Sequence, residues 1–108
     1  MKQNIEFGKV HTLLDCIDYS QGAIVSKILT KNNCGSSTLF SFDEGQFLSE
    51  HTAPYDALAI VLDGKCTIKI DGKHNKLVEG KMIIMPANIP HSVEADKAFK
   101  MLLVMIKG

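Results

Sequence analysis

The sequence predicts an all-β protein folded as a sandwich or barrel, and three observations support this fold class. Short segments rich in β-branched or alternating apolar residues recur along the 108-residue chain. Turn signals separate these segments, and the pairs Asp63-Gly64 and Asp71-Gly72 are typical of tight hairpins. Helical spacing of apolar residues is found only over residues 10–17, for about two turns. Many short strands joined by such turns are typical of sandwiches and barrels.

Each predicted strand follows from its own residue pattern. The run at 37–42 alternates, with Leu39 on one face and Phe40 and Phe42 on the other. The segment that contains His51 leads into a long apolar strand. Together, the predicted strands cover residues 23–30, 37–42, 57–62, 66–70, 81–86, 91–95 and 99–106.

Three of these strands are apolar on both faces. This predicts that both faces of their sheet, and not only the one that faces the core, are shielded from water. They are 57–62, 81–86 and 99–106. A small antiparallel sheet normally buries one face and exposes the other. Because the sequence predicts no long helix, a second copy of the chain is the expected cover, and we predict a homodimer with sheet-on-sheet packing. The alternative is a terminal segment folded across the same face.

Composition and charge argue against several classes of function. Lys and Arg together number 12, as do Asp and Glu, so the formal net charge is zero. Binding to nucleic acid or to an anionic membrane surface would need a basic excess. No run approaches the roughly 18 apolar residues of a membrane span.

The three cysteines are irregularly spaced and the first residues lack the apolar core of a signal peptide, which predicts free thiols in the cytoplasm. Cys66 is expected to be a small core residue.

The stretch from Gly45 to Gly64 resembles the first of two motifs of the cupin superfamily. After five intervening residues, His51 stands at the position of the first motif histidine. Ala53 occupies the position of the second histidine, and Ala57 occupies that of the glutamate. The stretch therefore keeps the glycines and one histidine of the motif, and two metal-ligand positions carry alanine.

A second stretch, beginning at Gly80, resembles the other cupin motif. Pro86 and His91 match it, whereas Asn88 replaces an inner glycine and Ala95 replaces the final asparagine. Asparagine is a mild replacement for glycine because it tolerates left-handed φ better than other side chains. Fifteen residues separate the two stretches, as in small single-domain cupins.

The resemblance covers roughly residues 23–106 and implies the double-stranded β-helix, or jelly-roll barrel, of cupins, which is usually dimeric. We expect residues 23–108 to form the barrel and residues 1–22 to form an N-terminal arm that packs on a partner subunit or is exchanged with it. Cupins include dioxygenases, isomerases, epimerases, decarboxylases, ligand-binding domains and storage proteins, so the resemblance alone assigns no activity.

In metal-binding cupins, three histidines and a glutamate usually hold Fe, Mn, Ni, Cu or Zn, and only His51 and His91 match that set. Protein metal sites typically supply three or four donors, so two imidazoles are few. Further donors would have to be Glu50, Asp56, Tyr55 or water. Strand alternation points both carboxylates away from His51, unless a bulge turns Asp56 inward. One hypothesis is a metal-dependent enzyme of the dioxygenase or isomerase type, using the two histidines and a carboxylate.

The favoured hypothesis is a barrel that binds a small polar or aromatic molecule beside a degenerate, two-histidine site. Alanine removes both bulk and donors, which favours an organic ligand over an ion. Imidazole serves as acid or base near neutral pH, and Tyr55 is a candidate acid because some epimerising cupins pair histidine with tyrosine without metal. A third possibility is an interaction module in which neither histidine does chemistry. The predicted pocket residues are His51, Ala53, Ala57, Ala59, Phe47 and His91.

Overall fold

A computed structural model describes residues 5–107 as nine β-strands in two antiparallel sheets, preceded by one turn of 3-10 helix. The all-β jelly-roll prediction is confirmed. No helix in this range is long and apolar enough to cross a membrane. In chain order the elements are the 3-10 helix Leu13–Cys16 and the strands β1 (Ile24–Asn32), β2 (Gly35–Phe42), β3 (Phe47–His51), β4 (Asp56–Asp63), β5 (Lys65–Ile70), β6 (Lys73–Val78), β7 (Met82–Met85), β8 (His91–Ala95) and β9 (Phe99–Ile106).

The two sheets face each other across a hydrophobic core. The larger has the strand order β1-β2-β9-β4-β7, and the smaller has the order β3-β8-β5-β6. Side chains from both sheets fill the core, including the fully buried Phe42, Phe99 and Ile68. The rings of Phe42 and Phe99 stack with their centroids 4.6 Å apart. As the alternation predicts, Phe42 faces this core, while Leu39 packs on the opposite side of the larger sheet.

Asp71-Gly72 forms the predicted hairpin turn, which joins the paired strands β5 and β6. The predicted hairpin at Asp63-Gly64 is wrong, because β4 and β5 belong to different sheets and the pair lies where the chain crosses between them. Asp71 and Gly72 have positive φ, 49° and 83°, as both central residues of a type I′ turn require. Gly64 has φ 76°, and a Cβ added there would lie 1.9 Å from the carbonyl oxygen of Ala98. Only glycine fits that position, so the connection between β4 and β5 depends on it.

The segment before β1 folds against the outer side of the larger sheet. The helical spacing at 10–17 gives only the single turn Leu13–Cys16. Cys16 and Ile17 are fully buried there, where they pack with Leu39. A terminal segment therefore covers part of the second apolar surface, which was the alternative to a second copy of the chain.

The remainder of that surface is apolar and open, and we call it the outer apolar face. The strand register places Leu58 between Ile84 and Val104, and Met82 beside Ile60. Met82 and Ile84 keep 50% and 55% of their surface exposed. The full set of residues on the outer apolar face is Leu58, Ile60, Met82, Ile84, Val104 and Ile106.

Candidate functional site

One end of the barrel, which we call the mouth, brings His51 and His91 together. His51 ends β3, His91 begins β8, and the two are direct cross-strand partners. Their ring centroids lie 4.4 Å apart, with the ring planes inclined at 66°. His91 is buried, with 5% of its surface exposed, whereas His51 is open to solvent. The mouth therefore pairs one solvent-facing imidazole with one shielded imidazole.

A β-bulge in β3 determines which way His51 points. Phe47 pairs with Glu94 and His51 pairs with His91, so four steps along β3 match three along β8. Without the extra residue, strand alternation would place His51 on the same face as Phe47. With it, His51 shares the inner side with the buried His91, and Phe47 lies on the outer side.

Each imidazole is held by a backbone carbonyl two residues earlier in the chain. His51 Nδ1 lies 2.8 Å from the carbonyl oxygen of Ser49, and His91 Nδ1 lies 3.2 Å from that of Ile89. A carbonyl oxygen only accepts hydrogen bonds, so Nδ1 is the donor in both contacts. In the neutral form, each Nε2 then carries a lone pair that is available to a ligand.

Burial sets the charge preference of His91. Desolvation lowers the pKa of this imidazole, and the nearby His51 lowers it further, against the raising effect of the hydrogen bond to the Ile89 carbonyl. The charged form of His91 is disfavoured because the buried ring has little contact with water. At neutral pH, His91 is therefore a hydrogen-bond acceptor through Nε2.

The alanines that were expected to open a pocket lie mainly in the core. Ala57 and Ala59 keep 3% and 0% of their surface exposed. Ala59 is therefore surrounded by protein atoms, without space for water beside it. Ala53 is half-buried in the loop before β4, and its carbonyl accepts a hydrogen bond of 2.7 Å from the N–H of Asn88. Of these three alanines, Ala53 has the most surface available to a molecule at the mouth.

The structure places the two aromatic candidates from the sequence in different surroundings. Phe47, predicted to line the same pocket, is 64% exposed on the outer side of the smaller sheet. Tyr55 precedes β4 and its ring lies under the Lys107 ammonium, with Nζ 5.1 Å from the ring centroid. The structure thus gives Tyr55 a cation–π contact with Lys107, and among the ring pairs of residues 5–107 the His51 ring is paired with that of His91.

The chain was compared with models of known protein families and with curated proteins. The cupin domain family matches residues 38–106, which is more than half of the chain. The chain belongs to the cupin family. Among curated proteins, none matches this cupin.

Solved structures resemble this cupin over most of its length. A conserved protein of unknown function from Streptococcus pyogenes is 38% identical, with a TM-score of 0.92, over 99% of this chain and 94% of that one. A cupin superfamily protein from Desulfitobacterium hafniense is 25% identical, with a TM-score of 0.90, over 100% and 99%. A cupin 2 conserved barrel domain protein from Leptotrichia buccalis is 43% identical, with a TM-score of 0.85, over 88% of this chain and 46% of that longer chain.

The donors at the mouth of this cupin do not fit a metal held by protein ligands alone. Asp56 Oδ1 accepts a hydrogen bond of 2.9 Å from the N–H of Ala87, and Glu50 lines a groove on the outer face. Within residues 5–107, no group of three or more His, Cys, Asp and Glu could hold an ion. His51 and His91 offer two nitrogen donors, so ligands from outside the chain would have to fill the other coordination positions.

The cysteines of this cupin are free thiols, as the sequence predicts. Cys66 is fully buried in the core. Burial, followed by the charge of Asp96, raises the pKa of the Cys66 thiol to about 12. Because the thiolate is the nucleophilic form, Cys66 is unreactive at neutral pH.

Sequence reasoning did not single out Lys107, because its only signal in the sequence is the face on which alternation places it. Alternation along β9 and just beyond it puts Lys107 on the same side as Met105, which packs against the core. The pairing of Asp56 with Ile106 then brings Lys107 next to Tyr55. The contact depends on pairing between strands that are far apart in the sequence, which a single strand's pattern does not reveal.

Proposed function

We propose that this cupin binds a small polar organic molecule at the mouth of its barrel, through His51 and His91. The observation that supports this most is that both Nδ1 atoms are engaged by carbonyls while the rings lie 4.4 Å apart. Two adjacent Nε2 acceptors, one of them open to solvent, are suited to a molecule that presents hydroxyl or acidic hydrogens. The absence of a third protein donor among residues 5–107 favours such a molecule over a metal ion.

The two imidazoles would contribute differently to this binding. His91, with its lowered pKa, remains neutral and accepts a hydrogen bond from the ligand. His51 reaches solvent and is the first ring that an approaching molecule meets. An acidic ligand can transfer its proton to the pair, after which the resulting imidazolium donates to the ligand anion. Hydroxy acids, sugars and phenols all carry the required groups.

The test is a ligand screen followed by NMR of the imidazole nitrogens. Hydroxy acids, sugars and phenols are screened by thermal shift, and compounds that bind are titrated while the Nε2 resonances are recorded. We expect those of His51 and His91 to shift and that of His11 to remain unchanged, because His11 bonds the backbone of Glu6 outside the barrel. A screen without any binding compound contradicts the proposal.

Substitution of the histidines measures their share of the affinity. A hydrogen bond contributes roughly 0.5–1.5 kcal/mol, so we expect His51→Ala and His91→Ala each to weaken binding by about two- to twelvefold. His11→Ala is the matched control and should bind as the wild type does. Unchanged affinity in both mouth variants would place the ligand elsewhere.

We further propose that this cupin forms a homodimer through its outer apolar face. The N-terminal segment covers only one end of that side of the larger sheet. The remaining residues are contiguous across β7, β4 and β9, and Met82, Ile84 and Ile106 are at least half exposed. Contiguous exposed apolar surface is typical of protein–protein interfaces. A second copy supplies the same apolar surface through a two-fold axis, and zero net charge opposes the association little.

A further inference from the structure

The outer side of the smaller sheet carries a groove that is separate from the histidine pair. It encloses about 480 Å³, which falls in the usual range for small-molecule sites. Its lining combines one aromatic ring, charges of both signs and short polar side chains, and includes Phe47, Glu50, Lys69, His74, Ser92 and Glu94. We call it the outer groove.

Strand pairing places the outer groove on the face opposite to the core. Ser92 pairs with Lys69, which in turn pairs with His74, so these three side chains share one face. Ile68 and Val93, each one step along the same strands, are buried on the other face. A molecule in the outer groove would therefore be separated from the histidine pair by the thickness of the sheet.

Two short side chains, Ser92 and Thr67, form the lowest part of the outer groove, on the central strands β8 and β5. They lie diagonally to each other, because Ser92 pairs with Lys69 and Thr67 pairs with Glu94. The Thr67 hydroxyl donates to Asp96 at 2.7 Å, which holds it against the sheet. Phe47 rises at the β3 edge and His74 at the β6 edge. With these taller residues at its two edges, the outer groove runs along the strands between them.

The acidic and basic residues of the outer groove are separated by strand. The carboxylates of Glu50 and Glu94 belong to β3 and β8, whereas Lys69 and His74 belong to β5 and β6. Within residues 5–107, none of these four side chains forms an ion pair or hydrogen bond. One side of the groove therefore presents uncompensated acceptors and the other presents uncompensated donors.

We propose that the outer groove binds a short zwitterionic peptide. Its ammonium group lies towards Glu50 and Glu94, its carboxylate lies towards Lys69 and His74, and an apolar N-terminal side chain packs on Phe47. Neighbouring strands lie about 4.8 Å apart. An extended dipeptide spans about 7 Å, since each residue spans about 3.5 Å, and so its charged ends reach across one to two strand spacings. In a free amino acid both charges are attached to one carbon, which is too short a separation.

The experiment uses the dipeptide leucylglycine as the probe and follows backbone amide resonances of the full chain. We expect saturable shifts confined to the outer strands of the smaller sheet, with a Kd on the order of 1 mM. Free leucine, N-acetyl-leucylglycine and leucylglycine amide each lack part of the required charge pattern. They should bind at least about fivefold more weakly.

Charge-matched variants test the assignment of each end. Lys69→Gln should weaken binding of leucylglycine at least fivefold without changing the affinity for its C-terminal amide. Glu94→Gln should weaken binding of leucylglycine at least fivefold without changing the affinity for N-acetyl-leucylglycine, whose N-terminus carries no charge. Lys81→Gln and Glu79→Gln lie in the turn before β7 and should bind as wild type.

Three results would each overturn the proposal. The first is no saturable shift at about tenfold above the expected Kd, and the second is equal binding of the capped peptides. The third is shifts centred on the mouth, which would assign the peptide to the histidine pair. Phe47→Ala adds a check on packing, since it should lower the affinity for leucylglycine more than that for diglycine.

Discussion

The two histidines of the mouth differ in burial, and the difference decides what each can do. His91 is shielded, and desolvation lowers its pKa, so it stays neutral and accepts hydrogen bonds. His51 is the exposed partner, oriented by the Ser49 carbonyl. A pair of equally exposed imidazoles would lack this division between a fixed acceptor and a ring in contact with solvent.

Two nitrogen donors also predict weak metal binding. After incubation with Fe, Mn, Ni, Cu and Zn salts and dialysis without chelator, we expect the untagged protein to retain far less than one metal per chain. The physical reason is that protein sites usually supply three or four donors, whereas His51 and His91 supply two. Elemental analysis by plasma mass spectrometry measures the metal content.

The His51→Ala and His91→Ala variants make this metal measurement decisive. One metal per chain in the wild type, lost in either variant, would replace the organic-ligand proposal with the metal-dependent enzyme. Metal that both variants retain would belong to a different site.

Asn88 gives a prediction for stability at a single backbone position. Its φ of 64° is left-handed, a conformation that costs most side chains roughly 1–2 kcal/mol. We expect Asn88→Val to lower the free energy of unfolding by about that amount, and Asn88→Gly to leave it nearly unchanged. Chemical denaturation of the three proteins tests this, and equal stability of the valine and glycine variants would contradict it.

The sequence predicted single-residue features well where they depend on local backbone or motif position. Asn88 in a glycine position implied left-handed backbone, and the structure has it. The motif positions of His51 and His91 implied proximity, and the rings are 4.4 Å apart. The space beside Ala59 was not predictable in this way, because residues distant in sequence fill it.

At the scale of elements, the bulge in β3 explains why the sequence could not predict that His51 and Phe47 face opposite sides of the sheet. Alternation alone groups His51 with Phe47, and the predicted pocket contained both. The extra residue between their pairs separates them onto opposite faces. Neither Ser49 nor Glu50 marks a bulge, since no glycine or proline stands there. The irregularity is visible only in the pairing of β3 with β8.

The segment before β1 shows a similar limit for helices. Residues 10–17 have helical apolar spacing, yet the structure has one 3-10 turn. A helix of two turns is marginal by itself and depends on tertiary packing. Here the packing requires only Cys16 and Ile17 to reach the sheet, after which the chain extends into the loop before β1.

At the scale of the whole molecule, the outer apolar face is the surface through which we propose that two copies of this cupin associate. A stable dimer interface buries about 800 Å² on each partner, so it requires a broad, contiguous part of one sheet face. The N-terminal segment takes one end of that face, and the outer apolar face takes the rest. The larger sheet can therefore pack against the N-terminal segment of its own chain and against the proposed second copy at the same time.

Sedimentation of matched lysine variants tests the homodimer. We expect the wild type to sediment as a dimer at micromolar concentration and Ile84→Lys to sediment as a monomer. A lysine on the outer apolar face would bring an unpaired charge into the interface, at a cost of several kcal/mol. Ile28→Lys is the control, because Ile28 is 56% exposed against 55% for Ile84 and belongs to the same sheet.

The Ile28→Lys control differs from Ile84→Lys in the face of the sheet that it changes, and not in the exposure of the substituted residue. Ile28 alternates with Ile24 along β1, and Ile24 packs towards the barrel core, whereas Ile84 lies on the opposite side of the sheet. Dissociation by Ile84→Lys alone assigns the interface to the outer apolar face. If both variants dissociate the dimer, or if neither does, the dimer interface does not lie on the outer apolar face. If the wild type is a monomer, the homodimer proposal is wrong, and the N-terminal segment alone covers that side of the sheet.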